Sequence, residues 1–107
     1  MPKSTMDRPI INKIIKKIIN AKPGTYVIFF VYECRYCERA LNLLRRENVL
    51  YKGYNIDEIT GGMPKLLSVL NENAKLIGFD PTHQTKPIIF LNGKFLGGAN
   101  ELVAHFD

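Results

Sequence analysis

Tyr26-Val27-Ile28-Phe29-Phe30-Val31-Tyr32 is an almost unbroken apolar run, rich in β-branched and aromatic residues. A run of this kind suits a strand buried on both faces. It leads directly into Cys34-Arg35-Tyr36-Cys37, which places the only two cysteines of the chain one helical turn apart. A helix that starts there sets its first thiol among unsatisfied backbone N–H groups at the positive end of the helix dipole, an environment that lowers thiol pKa values. Cys34 is therefore the candidate nucleophile. Cys37 falls on the stripe Cys37, Ala40, Leu41 and Leu44, the i, i+3, i+4, i+7 spacing of an inward face. That makes it the buried, resolving thiol of a redox pair.

Two other readings of the Cys-x-x-Cys are weaker. Zinc needs four ligands in tetrahedral geometry, and only His83 and His105 remain, without finger-like spacing. No metal is expected. A purely structural disulfide closing so short a loop restrains the unfolded chain little. Neither histidine lies in a motif, and both read as solvated side chains.

The length of 107 residues suits one domain spanning 1–107. Hydrophobic residues make up 46%, an ordinary globular share rather than that of a disordered chain. The isoleucine-rich stretch Ile10 to Ile19 is interrupted by Asn12, Lys13, Lys16 and Lys17, and no apolar run approaches the ~18 residues of a membrane span. With no visible secretion signal, the cysteine usage favours a reducing, cytoplasmic setting. The net charge of +5 attracts anions without choosing among them. No nucleic-acid motif accompanies it, so neither nucleic acid nor membrane is expected as a partner.

A first helix is predicted from Asp7 to Asn20, with Asp7 as cap, Pro9 in the first turn, Ile10, Ile11, Ile14, Ile15, Ile18 and Ile19 on one face and lysines opposite. The Cys-x-x-Cys helix runs to about Asn48, and a second strand covers Leu50 to Ile56. Strand, helix and strand make a parallel unit. After Gly61-Gly62, a helix with Leu66, Val69, Leu70 and Ala74 inward ends near Gly78, followed by a loop to Gln84. Pro87 to Leu91, Asn92-Gly93 and Lys94 to Leu96 read as a hairpin, because Asn-Gly supplies the two positive φ angles of a tight primed turn. Asn100 is the expected cap of a short last helix.

This order resembles the glutaredoxins of the thioredoxin fold. Cys34-Arg35-Tyr36-Cys37 looks like the family's Cys-Pro-Tyr-Cys, Thr85-Lys86-Pro87 like its Thr-Val-Pro, and Gly97-Gly98-Ala99-Asn100-Glu101 like its Gly-Gly-Cys-Ser/Thr-Asp. The short C-terminal end and enlarged loop before Thr85 are closer to phage- or virus-type members. The resemblance implies an α/β three-layer fold, a four-stranded mixed sheet flanked by helices, and a monomer. It also implies a glutathione-linked thiol-disulfide oxidoreductase with glutathione as cosubstrate. Disulfide-containing proteins, ribonucleotide reductase among them, are the implied partners.

It further implies a cis Pro87 that leaves the backbone of Lys86 to pair with an extended substrate. Tyr36, Lys86, Pro87, Gly97, Gly98, Asn100 and Glu101 then form the glutathione site. The chain departs from the family at several positions, among them Ile88, which reads as core where the family often has a polar residue after Thr-Val-Pro. Val31 stands where a lysine usually precedes the first cysteine, a contact that Lys86 or Lys65 can replace. Arg35 replaces the family's proline, and its charge favours the Cys34 thiolate while Glu33 opposes it. Two alternatives stay open: a thioredoxin-like reductant served by a flavoenzyme, and a module that bridges an iron-sulfur cluster between protomers.

Overall fold

The computed structural model describes residues 13–107. The expected cap Asp7, Pro9, Ile10 and Ile11 lie outside the described residues. Helix α1 covers residues 13–19. Ile14, Ile15 and Ile18 are buried, while Lys13, Lys16 and Lys17 face solvent, as the amphipathic pattern predicts. Ile19 departs from that stripe and is 43% exposed. At the observed phase of the helix its position falls beyond the edge of the buried face.

Strand β1 spans Tyr26–Phe30, and α2 follows over Arg35–Arg46. Strand β2 covers Tyr51–Asn55, one residue shorter at each end than its apolar boundary suggests. Ile56 instead opens a 3-10 turn that Asn55 caps by accepting the Asp57 N–H at 2.9 Å. Helix α3 is Gly62–Glu72, α4 is Ala74–Ile77, β3 is Ile88–Leu91, β4 is Lys94–Gly97 and α5 is Ala99–Phe106.

The single helix expected up to Gly78 is thus two. Its break is at Asn73, whose side-chain amide donates to the Val69 carbonyl at 2.9 Å while its backbone leaves helical geometry. A side chain that competes for a helix carbonyl in this way favours a terminus over a helix interior.

The sheet order is β2-β1-β3-β4, with β1 and β2 parallel and the other two pairings antiparallel. Asn92 and Gly93 take φ values of 54° and 78°, the primed turn expected of the hairpin. Alternation along the central strands feeds two cores. Val27, Phe29, Ile88 and Phe90 meet α1, α3 and α4 on one face. Tyr26, Ile28 and Ile89 meet Ala40, Leu43 and Leu44 of α2 and Leu102 of α5 on the other. These are the three layers of a thioredoxin-like fold, and they leave the C-terminal end of the interior strand β1 and the start of α2 at one end of the sheet.

Candidate active site

Cys34 is the N-cap of α2, with an extended backbone and a sulfur that accepts the Cys37 N–H at 3.2 Å. The sequence dictates this placement. A five-residue strand, buried over its first four residues, ends at Phe30, a tight bend follows with Glu33 at φ 57°, and the helix dipole begins at the thiol. Cys37 is fully buried beneath it, and both thiols are free. Burial, and then the hydrogen bond to Cys34, push the Cys37 thiol up to about 12. At neutral pH Cys37 therefore keeps its proton, and the two sulfurs are chemically distinct.

A cavity of about 450 Å³ opens beside Cys34, within the usual range of small-molecule sites. Tyr36, Lys86, Pro87, Gly98, Asn100 and Glu101 line it together with Cys34. The Lys86–Pro87 peptide bond is cis, as the resemblance implies. Three separate segments of sequence thus converge on one sulfur: the start of α2, the entrance to β3, and the turn from β4 into α5.

That last turn is built around Glu101. Its carboxylate accepts the Gly98 N–H at 2.7 Å and closes the first turn of α5. Asn100 is accordingly not the cap. Gly98 occupies the N-cap position and Asn100 lies exposed within the helix, facing the cavity. Glu101, read from sequence as a ligand contact, is also a structural acceptor. Glu101→Ala is expected to lower stability by about 1 kcal/mol in denaturant titrations, with Glu101→Gln losing less.

Gly97, Cys37 and Arg35 do not line the cavity. Gly97 lies behind the wall, paired with Ile89 across the sheet. Arg35 is exposed and faces a different groove with Glu38, Arg39 and Asn42. Val31, at the position of the family's lysine, is half-buried against the core.

Sequence reasoning set His83 aside, yet it lines the cavity with Met63, Gln84, Thr85 and Ala99. Its Nε2 lies 3.3 Å from the Pro87 carbonyl and its ring packs edge-on to Phe95. The loop that carries it is folded by Asp80, which accepts the Thr82 N–H at 2.9 Å and the Thr82 hydroxyl at 2.7 Å. These bonds hold the Asp80 carboxyl below its ordinary value. Only nearness to Thr85-Lys86-Pro87 marks His83 in the sequence. His105 instead meets the Tyr26 hydroxyl at 2.8 Å, away from the cavity.

Among the described residues, no three His, Cys, Asp or Glu side chains are grouped to hold a metal ion. No helix among them is long and apolar enough to cross a membrane.

Residues 26–96 match the family model described as Glutaredoxin. The chain is 55% identical over 94 residues to a probable glutaredoxin of Acanthamoeba polyphaga mimivirus, covering 88% of this chain and 89% of that one. It is 30% identical over 93 residues to glutaredoxin-2 of Schizosaccharomyces pombe, covering 87% and 76% of the two. The holo form of glutaredoxin C1 from Populus tremula x tremuloides superimposes with a TM-score of 0.69 at 28% identity, over 92% of this chain and 86% of that one. The matched sequence, the shared fold and a capping thiol above a buried one make this chain a member of the glutaredoxin family, and with it a thiol-disulfide oxidoreductase.

Proposed function

We propose that this chain reduces protein disulfides and glutathione mixed disulfides, with glutathione as its cosubstrate. The observation that carries the reading is the cavity beside Cys34, walled by Lys86-Pro87 on one side and Gly98 to Glu101 on the other. Glutaredoxins use glutathione, and a cavity of this size accommodates a small peptide against the reacting sulfur. The exposed backbone before Pro87 suits pairing with an extended ligand.

In the proposed cycle the Cys34 thiolate attacks one sulfur of a substrate disulfide. That S–S bond breaks, the leaving sulfur departs as a thiolate and takes a proton from water, and a Cys34 mixed disulfide remains. Cys37 then attacks the Cys34 sulfur, the bond from Cys34 to the substrate sulfur breaks, and the Cys37 proton ends on that departing sulfur, so that the substrate leaves as a thiol and the Cys34–Cys37 disulfide remains. Two glutathione thiols return the pair to the dithiol and leave as glutathione disulfide. Alternatively, one glutathione attacks the Cys34 mixed disulfide directly. In the resting dithiol the raised pKa of Cys37 leaves the first attack to Cys34.

Ribonucleotide reductase is among the disulfide proteins this chemistry serves, and a monomer in the reducing cytoplasm is the setting we propose. The test supplies electrons either from glutathione with glutathione reductase or from thioredoxin reductase. Turnover is expected with the first source. Turnover with the second alone overturns the glutathione assignment.

A further inference from the structure

We propose that His83 is a positioning residue for the cavity beside Cys34: its imidazole ties the Pro87 carbonyl to the Gly98 turn, so that both walls are held in place for a glutathionyl ligand. The inference deepens the glutathione reading and rests on it for the identity of the ligand alone. In the sequence His83 lies in a loop and belongs to no motif. The fold brings it to the seam between two segments that are separate in the chain.

Three contacts define that seam. The His83 Nε2 lies 3.3 Å from the Pro87 carbonyl oxygen. A carbonyl can only accept, so the Nε2–H is the donor and the tautomer follows from the contact. On the other side, a Cβ built on Gly98 would stand 3.1 Å from His83 Cε1 and 3.4 Å from the Pro87 oxygen. The ring edge, the carbonyl and the bare Gly98 backbone thus meet at a point that a side chain at position 98 would crowd. The third contact is with Phe95 of β4, edge-on with ring centroids 5.1 Å apart. Phe95 is itself packed against Phe79 and Phe90, so the imidazole leans on the core.

The loop is folded to deliver the ring there. The His83 N–H donates to the Asp80 carbonyl at 2.9 Å, beside the two bonds from Thr82 to the Asp80 carboxylate. Among the described residues, no other side chain hydrogen-bonds the Pro87 carbonyl. Lys86 immediately precedes Pro87, so the orientation of this peptide group sets how the Lys86 backbone faces an extended ligand. The Gly98 turn is held by Glu101 through its N–H at 2.7 Å and by His83 through packing. Displacing either wall weakens binding without touching the reacting sulfur, so the effect falls on KM rather than kcat.

The experiment compares full-length wild type with His83→Leu, which keeps volume without a donor, and His83→Gln, which keeps an N–H donor. Reduction of a peptide–glutathione mixed disulfide is followed with glutathione and glutathione reductase. Amide hydrogen exchange is measured in the ligand-free dithiol. His83→Leu is expected to raise KM for the mixed disulfide by roughly 3- to 10-fold, the scale of one hydrogen bond, with kcat held within about twofold. Exchange at the Gly98 amide is expected to quicken by a similar factor while that at Ile28 in the sheet interior does not change. His83→Gln restores both. An unchanged KM in His83→Leu overturns the proposal, as does Gly98 exchange no faster than in wild type. A loss confined to kcat, or a rise in KM that His83→Gln shares, overturns it as well. Absence of wild-type turnover in this assay overturns the glutathione reading instead, and the exchange rates then decide the positioning role by themselves.

Discussion

Cys34→Ser is expected to cut turnover of a small mixed disulfide by on the order of 10³-fold or more, whereas Cys37→Ser is expected to retain a substantial part of it. The asymmetry follows from position. Cys34 caps α2 at the mouth of the cavity and is the sulfur a substrate meets, while Cys37 is fully buried and keeps its proton at neutral pH. A hydroxyl at position 34 has no comparable nucleophilicity. With position 37 blocked, glutathione in solution still attacks the mixed disulfide on Cys34. Steady-state rates for both variants, with folding checked by circular dichroism, separate the roles. Equal losses in the two contradict this division of labour. A protein disulfide that requires the Cys37 step is expected to suffer more from Cys37→Ser than a glutathione mixed disulfide does.

The second large effect concerns Gly97. Its φ of 139° lies where only glycine is at ease, and an added Cβ would meet the Glu101 Cβ and Cγ at 2.5 Å. Gly97→Ala therefore strains the backbone and displaces the side chain whose carboxylate holds the Gly98 N–H. The expected loss of stability is about 1–3 kcal/mol from the backbone alone. A fall in glutathione use beyond the loss of folded protein is also expected, because the wall formed by Gly98 to Glu101 moves. Denaturant titration gives the first quantity, and glutathione dependence in the folded range gives the second. Adding Glu101→Gly removes the clash and restores only part of the stability, leaving the φ strain and the lost acceptor. Full stability in Gly97→Ala contradicts this picture of the turn.

Much of the fold was legible because each central element carries one dominant signal. The apolar run of β1 is buried on both faces. Asn92-Gly93 forms the expected turn, and the alternation of Ile88, Ile89 and Phe90 distributes side chains to two cores. The same holds for the reactive pair, where helix start and helix stripe assign Cys34 and Cys37 to different environments. What was not legible depends on contacts between distant segments. The break at Asn73 arises from a side-chain bond to Val69 that no hydrophobic pattern encodes. Glu101 resembles a surface acid until the turn from β4 brings Gly98 onto it. His83 enters the site because the loop folded by Asp80 returns it to the Pro87 carbonyl. Arg35, expected from sequence to favour the Cys34 thiolate, lines a groove with Glu38 and Arg39 and not the cavity beside Cys34, a placement that sequence adjacency alone does not fix.

The most direct measurement of the central claim is the intact mass of Cys37→Ser after incubation with glutathione disulfide. A single glutathionyl adduct on Cys34 is expected, because its thiolate attacks the disulfide and no resolving sulfur remains to release it. The wild-type chain under the same conditions is expected to accumulate instead the Cys34–Cys37 disulfide, two hydrogens lighter by the chemistry of the bond, with no lasting adduct. An unmodified Cys37→Ser chain, with its folding intact, contradicts the account.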